Sequence, residues 1–222
     1  MKTYKLESVK KTGDIDVFTF SPIDGNPLEF VPGQFVMIYL GELKRAYSIA
    51  CSPSSANLVF GIKLINGQFT SELRKLKVGD WVDMDGPHGH FGYKNQKKCI
   101  FVAGGSAITP FIGILEYINE NKIEGDFKLF YSSKEQEDIC FPEFLNGLSS
   151  NKKIQCVLTL TREDSKNWKG EHGRINGEMI KKYVKNPAEY TWYVCGPTKM
   201  LQDIKAIAKS FGAIDIKIEG WG

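Results

Sequence analysis

The hydrophobic rhythm of this chain changes once, near residue 95, and that change constrains the fold more than any single motif. From Tyr4 to about Tyr93 apolar residues come in short alternating stretches, over 15–21, 34–40, 46–50, 58–63 and 81–85. Turn residues separate them at 22–27, Pro32-Gly33, 52–55 and Asp85-Gly86-Pro87. Short strands at this spacing build an antiparallel barrel or sandwich, with one helix expected over 70–76. After the polar run 94–98 the pattern becomes apolar strands over 99–103, 127–132, 154–161, 191–195 and 214–219. Helical patterns alternate with them over 110–121, 142–148, 176–184 and 198–211. That alternation predicts a mostly parallel sheet covered by helices on both faces. The 222 residues therefore divide into an antiparallel β-barrel domain, 1–95, and an α/β domain, 98–222, each long enough to bury a core.

Composition narrows the function classes. With 42% hydrophobic and 25% charged residues the chain is globular rather than disordered. No apolar run reaches the roughly 18 residues that cross a bilayer. The polar start Met1 to Ser8 reads as a strand, so no membrane span and a cytoplasmic location are expected. The five cysteines, 51, 99, 140, 156 and 195, contain no C-x-x-C pair. They predict no disulfide framework, no zinc site and no plant-type iron-sulfur cluster. His88 and His90 on a glycine-rich loop lack further ligands, so no metal is expected. The net charge of +3 comes from scattered lysines, which does not indicate nucleic acid.

Three segments carry chemistry. In Arg45-Ala46-Tyr47-Ser48, residues two apart share a strand face, so a forked cation for a phosphate and a ring for stacking point the same way. A plain strand with an exposed Arg and a half-buried Tyr reads the same. In Ile100 to Pro110 a buried strand meets the turn Gly104-Gly105-Ser106-Ala107-Ile108, then a helix with Thr109 as cap and Pro110 at its first position. The glycines let the backbone approach a diphosphate, and the helix start supplies N–H donors. The strand 191–194 ends in Cys195-Gly196-Pro197, a thiol where parallel sheets bind their ligands, or alternatively a buried structural cysteine. A lesser segment, Gly67-Gln68-Phe69-Thr70-Ser71, opens the predicted helix as an anion site, as an N-cap, or as both.

In this order and spacing the segments resemble the ferredoxin-NADP reductase-like family of FAD-dependent oxidoreductases. Gly86-Pro87-His88-Gly89-His90-Phe91 is similar to the family's Gly-Pro-x-Gly-x-Phe turn. The family's Gly-Gly-x-Gly-Ile-Thr-Pro differs here only in having Ala107 for the third glycine. The resemblance implies tightly bound FAD in the barrel and NADH or NADPH as substrate in the α/β domain, with the active site in the cleft between them. Arg45 would bind the flavin diphosphate, Tyr47 stack on the ring and Ser48 bond near N5. Ala46, Gly67, Phe69, Thr70 and Ser71 would complete the flavin site, with Ile62, Lys63 and Leu64 from the strand preceding Gly67. Gly104, Gly105, Ser106, Ile108, Thr109 and Pro110 would take the nicotinamide dinucleotide's diphosphate, and Cys195, Gly196 and Pro197 the nicotinamide.

The implied catalytic set is Ser48, Cys195, Glu219 and Trp221, the last covering the flavin until nicotinamide displaces it. At the adenosine end Ser132, Lys134, Thr161 and Arg162 argue for NADPH, whereas Glu163 and Asp164 argue for NADH. The implied activity passes hydride from NAD(P)H to FAD and then electrons to a redox protein on a separate chain, such as ferredoxin, flavodoxin or an oxygenase component. Two alternatives stand beside it. One is an NAD(P)H:flavin reductase using diffusible flavin. The other is an FAD-binding electron-relay subunit without NAD(P)H activity, toward which Ala107 points.

Overall fold

The computed structural model describes residues 1–13, 15–149, 154–162 and 167–220, and they form two units. The first comprises Met1–Lys94 and Thr109–Lys122, the second Asn95–Ile108 and Ile123–Gly222. As expected, an antiparallel sheet builds the N-terminal part and a parallel sheet the C-terminal part.

In the first unit, strands β1 (Lys2–Thr12), β2 (Ile15–Pro22), β3 (Phe35–Leu40), β4 (Leu43–Ser48), β5 (Leu58–Ile62) and β6 (Trp81–His88) lie in the order β4-β3-β6-β1-β2-β5. The Ala50 N–H, just past β4, donates to the Val59 carbonyl of β5 at 2.7 Å and draws the two edge strands together into a barrel. Alternation places Leu6, Phe18, Phe20, Val36, Ile38 and Phe60 inside, all at most 2% exposed. The expected strand over 46–50 instead spans Leu43–Ser48. Gly41, at φ +59°, and Glu42 close a tight hairpin that pairs Leu40 with Leu43, and this fixes the register from the turn outward. Helix α1 is Gln68–Leu73, starting two residues and ending three residues earlier than the expected 70–76.

Helix α2 (Thr109–Glu120) belongs to this unit. Gly113 lets it approach the strand ends: a Cβ there would lie 2.7 Å from the Cys51 carbonyl oxygen and 2.9 Å from that of Ile49. Two carboxylates one helical turn apart hold the loop beyond. Glu116 accepts from the Ser52 N–H at 2.7 Å, and Glu120 accepts from the Ser54 hydroxyl at 2.6 Å. Burial pushes the Glu116 carboxyl above its ordinary value.

The second unit holds β7 (Lys98–Gly104), β8 (Asp126–Ser133), β9 (Ile154–Leu160), β10 (Glu171–His172), β11 (Thr191–Gly196) and β12 (Ile216–Gly220). All pairs are parallel, in the order β10-β9-β8-β7-β11-β12. The chain winds one way from β7 to β10 and the other way through β11 and β12. The switch point is therefore the β7/β11 boundary, whose carboxyl ends are where such sheets bind ligands. The central strands are apolar on both faces, with Ile100, Phe101, Val102, Trp192, Tyr193 and Val194 fully buried. Helices α3 (Pro142–Ser149), α4 (Gly177–Tyr183) and α5 (Thr198–Ser210) complete the unit. The Asn176 side chain caps α4 by accepting from the Met179 N–H. Among the described residues no helix is long and apolar enough to cross a membrane.

Candidate functional site

The flavin-related residues of the first unit gather where β4 runs beside α1. The exposed Arg45 guanidinium donates from Nη1 to the Lys44 carbonyl at 3.0 Å. Half-buried Tyr47 sets its ring 5.7 Å from that of Phe69 on α1, and burial pushes its hydroxyl pKa up to about 12, against the opposing pull of Arg45. Ala46, between them, is part-buried. Ser48 is 5% exposed and its Oγ has no hydrogen-bond partner. A buried hydroxyl left unbonded costs about 1–3 kcal/mol, so this atom is poised for a ligand. Beside α1 an open cavity of about 750 Å³ is lined by Leu43, Asn66, Gly67, Gln68, Ser71 and Glu72. A forked cation, an aromatic face and an orphaned hydroxyl on one strand are the groups a flavin carrying a diphosphate needs, and the glycine-flanked cavity lies at the start of α1.

Several expected contributors are placed differently. Strand β5 stops at Ile62, whose side chain is 1% exposed in the barrel core, so Lys63 and Leu64 fall in the following connection rather than on the strand. Tight turns end the strand: Ile65 N–H donates to Lys63 O at 3.0 Å and Gly67 N–H to Ile65 O at 2.9 Å. Arg74 donates to Leu64 O at 3.2 Å. The Thr70 hydroxyl is committed to the Ile65 carbonyl at 2.5 Å, with Gly67 O at 3.2 Å, and Phe69 is buried. Gly67 is the N-cap, without a side-chain cap bond, and of the expected hydroxyls only Ser71 is exposed.

In the second unit the turn after β7 is a single 3-10 turn, Gly105–Ile108. Gly105 sits at φ +58°, a left-handed conformation that favours glycine. Ile108 is fully buried, Pro110 is buried and Thr109 is 5% exposed. Thr109 is the first residue of α2 rather than its cap, and its hydroxyl reaches the Gly61 carbonyl at 3.3 Å. Of the other residues expected at a diphosphate, Gly104 ends β7 opposite Ser132 of β8, and Gly105 and Ser106 open the turn part-buried. Ala107 is part-buried and lies in the turn without interrupting it.

At the switch point Cys195 is flanked in register by Ala103 of β7 and Glu219 of β12. Cys195 is fully buried, followed by buried Gly196 and exposed Pro197. Glu219 is half-buried, its Oε2 has no partner, and burial pushes its carboxyl up to about 7. One edge thus brings the glycine turn, a thiol and a carboxyl that holds a proton near neutrality into neighbouring strand ends. Trp221 lies outside the described residues, as do Glu163 and Asp164.

The adenosine-end residues also assemble. Part-buried Ser132 pairs with Thr159, and beyond it the Thr161 N–H and hydroxyl both donate to Ser133 O, at 3.0 and 3.1 Å. Arg162 N–H donates to Lys134 O at 3.0 Å, which sets two exposed cations on adjacent chain segments. Sequence reasoning missed Met200, which packs on Gly104 and Gly196. Its position four residues beyond Gly196, on the helix that 198–211 predicts, was the available signal.

Comparison with known proteins agrees with both halves. Residues 5–93 match the model of the oxidoreductase FAD-binding domain and residues 101–206 that of the oxidoreductase NAD-binding domain. The chain is 32% identical, over 86% of its own length and 69% of the relative's, to a probable dihydroorotate dehydrogenase B (NAD(+)) electron transfer subunit of Pyrococcus furiosus. It is 28% identical to the anthranilate 1,2-dioxygenase electron transfer component of Acinetobacter baylyi, over 80% of this chain and 53% of that one. The chain thus spans about half to two thirds of these curated relatives. The flavohem-like FAD/NAD-binding domain of nitric oxide dioxygenase from Vibrio cholerae superposes with a TM-score of 0.89 at 19% identity, covering 100% of this chain and 98% of that one, a likeness of fold.

Proposed function

Because this chain belongs to the ferredoxin-NADP reductase-like family of oxidoreductases, we propose that it is an FAD-dependent NAD(P)H reductase whose electrons leave to a redox protein on another chain. The observation that carries the reading is that each half matches a cofactor-binding domain and carries an orphaned buried polar atom beside its motif, Ser48 Oγ in one and Glu219 Oε2 in the other.

In this reading Arg45 pairs with the flavin diphosphate, together with the backbone at Gly67 and the Ser71 hydroxyl. Tyr47 offers its ring face, and Ser48 donates the hydrogen bond it does not make within the protein. When bound, FAD supplies the ring that accepts hydride from nicotinamide and releases electrons. The backbone turn 104–107 holds the dinucleotide diphosphate, and Cys195 orients the nicotinamide without attacking it. Glu219, with its carboxyl near 7, keeps a proton available close to neutral pH. The paired cations Lys134 and Arg162 favour a 2'-phosphate, hence NADPH over NADH. The acceptor is of the ferredoxin, flavodoxin or oxygenase-component class, in keeping with relatives that are electron transfer components. Five free thiols suit a reducing, cytoplasmic setting.

The test is an anaerobic titration of the purified chain, loaded with excess FAD and desalted, with NADH and NADPH in parallel. Loss of the oxidised-flavin absorbance with either nucleotide, more readily with NADPH, is the expected result. Flavin that stays bound and oxidised with both overturns the reductase reading in favour of an electron-relay subunit. Flavin lost on desalting favours an enzyme that uses diffusible flavin.

A further inference from the structure

We infer that Tyr193 is a positioning residue for Glu219: its hydroxyl and ring face take up the Lys217 ammonium, which would otherwise pair with that carboxyl and fix its charge. The inference deepens the reductase reading, on which it rests only for the use made of Glu219.

Lys217 and Glu219 are two apart on β12 and share a face, as do Tyr193 and Cys195, their partners in register on β11. Two residues of strand advance about 6.6 Å, a gap that the four-carbon stem of a lysine spans to meet a carboxylate. Lys217 turns instead to Tyr193. Its Nζ donates to the Tyr193 hydroxyl at 2.9 Å and stands 4.6 Å from the centre of the same ring. The Tyr193 hydroxyl in turn donates to Gln96 Oε1 at 3.1 Å, and the Phe101 ring lies 5.4 Å from that of Tyr193. A fully buried side chain, fixed at its tip and along its ring, thus presents the acceptor.

The ammonium acts on the groups it faces. Burial pushes the Cys99 thiol, near the amino end of β7, up to about 12 against the opposing pull of Lys217. Glu219, on the carboxyl side of Lys217, is raised by burial with no such pull, and its Oε2 has no partner. The other groups around the strand are engaged elsewhere. Cys195 stands opposite Glu219. Helix α5 packs on the other face through Ile216 and Ile218, and its Lys199 and Asp203 bridge each other at 3.6 Å. Asp215, two residues before Lys217, accepts from the Thr191 hydroxyl at 2.9 Å. Lys217 is therefore a cation within reach of Glu219 that Tyr193 turns away.

The experiment follows the Glu219 carboxyl through pH on the FAD-loaded full chain by infrared difference spectroscopy, with Glu219→Gln subtracted to assign its band and no nucleotide added. In the wild type the protonated band should be lost near pH 7. Tyr193→Phe deletes the acceptor without emptying the core, and should lower that midpoint by about 1–2 pH units as the freed ammonium turns to the carboxylate. Lys217→Met should leave the midpoint within about half a pH unit of wild type, and Tyr193→Phe/Lys217→Met should return it there, a coupling expected of side chains in contact. A Tyr193→Phe midpoint equal to that of the wild type overturns the inference, as does a wild-type midpoint in the ordinary carboxylate range. A double variant that titrates as low as Tyr193→Phe overturns it too, because the change then does not pass through Lys217. Should Tyr193→Phe fail to fold, Tyr193→Phe/Gln96→Leu, which also removes the acceptor left behind, makes the same comparison. A wild-type chain whose bound flavin neither NADH nor NADPH reduces removes the reductase reading, whereas the carboxyl titration still decides this inference, so the two failures are told apart.

Discussion

Replacing Glu219 by glutamine should leave the chain unaffected in acid and stabilise it in mild alkali. The carboxyl is half-buried with one oxygen lacking any partner, and desolvation raises its pKa from an ordinary 4.5 to about 7. The folded chain therefore holds this proton more tightly than the unfolded chain. Stability from the protonated group is complete below the unfolded pKa and is lost as pH rises from 4.5 through about 7. At about 1.4 kcal/mol per pH unit across that window, the ceiling is about 3 kcal/mol. Solvent at a half-buried side chain screens the charge, which brings the expected penalty at pH 8 to about 1.5 kcal/mol. Glutamine keeps the shape and never ionises. The wild type should thus melt with Glu219→Gln near pH 4.5 and fall about 3–6 °C below it by pH 8. Thermal melts of both proteins without added nucleotide, at half-unit pH steps, supply the test. Parallel curves across the whole range would show that Glu219 ionises as an ordinary surface carboxylate, refuting the desolvation argument.

Three further outcomes follow from the geometry. Ser48→Ala removes a hydroxyl that bonds nothing in the protein, so the flavin-free chain should melt no lower than wild type. Hydride transfer from NAD(P)H to bound FAD, read by stopped flow, should slow by about 10- to 100-fold, and a lowered melting temperature of the flavin-free chain would contradict the placement of Ser48. Arg162→Ala should raise the KM for NADPH by about tenfold while leaving that for NADH within about twofold, and equal changes for both would remove the 2'-phosphate role. Gly113→Ala drives a methyl into the carbonyls of Ile49 and Cys51 and should destabilise the chain by about 2–3 kcal/mol in denaturant titration, an expectation that a wild-type midpoint would reject.

Much of this was legible because each half obeys one periodicity. The continuous apolar run in β7 and β11 announces a strand covered on both faces, and the residues after it fall at the switch point whatever the details of packing. Arg45 and Tyr47 are two apart in sequence, so a strand alone sets them on one face. Side-chain partners were less accessible. Thr109 reads as a helix cap, but its hydroxyl reaches a carbonyl of β5, 48 residues earlier. Thr70 reads as a free hydroxyl at a helix start, but a turn that ends β5 one residue early presents Ile65 O to it. Met200 reads as one more apolar residue of α5, and its contact with Gly104, on a strand 96 residues earlier, is not visible from its neighbours in sequence.

Helix α2 bears on how the chain could be divided. The polypeptide leaves the barrel unit after Lys94, returns to it at Thr109 and leaves again after Lys122. A cut at the change of rhythm near residue 95 would therefore strip the barrel fragment of the helix that covers Ile49 and Cys51 and anchors Ser52 and Ser54. The continuous stretch that contains the whole of the first unit runs from residue 1 to 122, and it takes β7 and the turn after it along with the barrel.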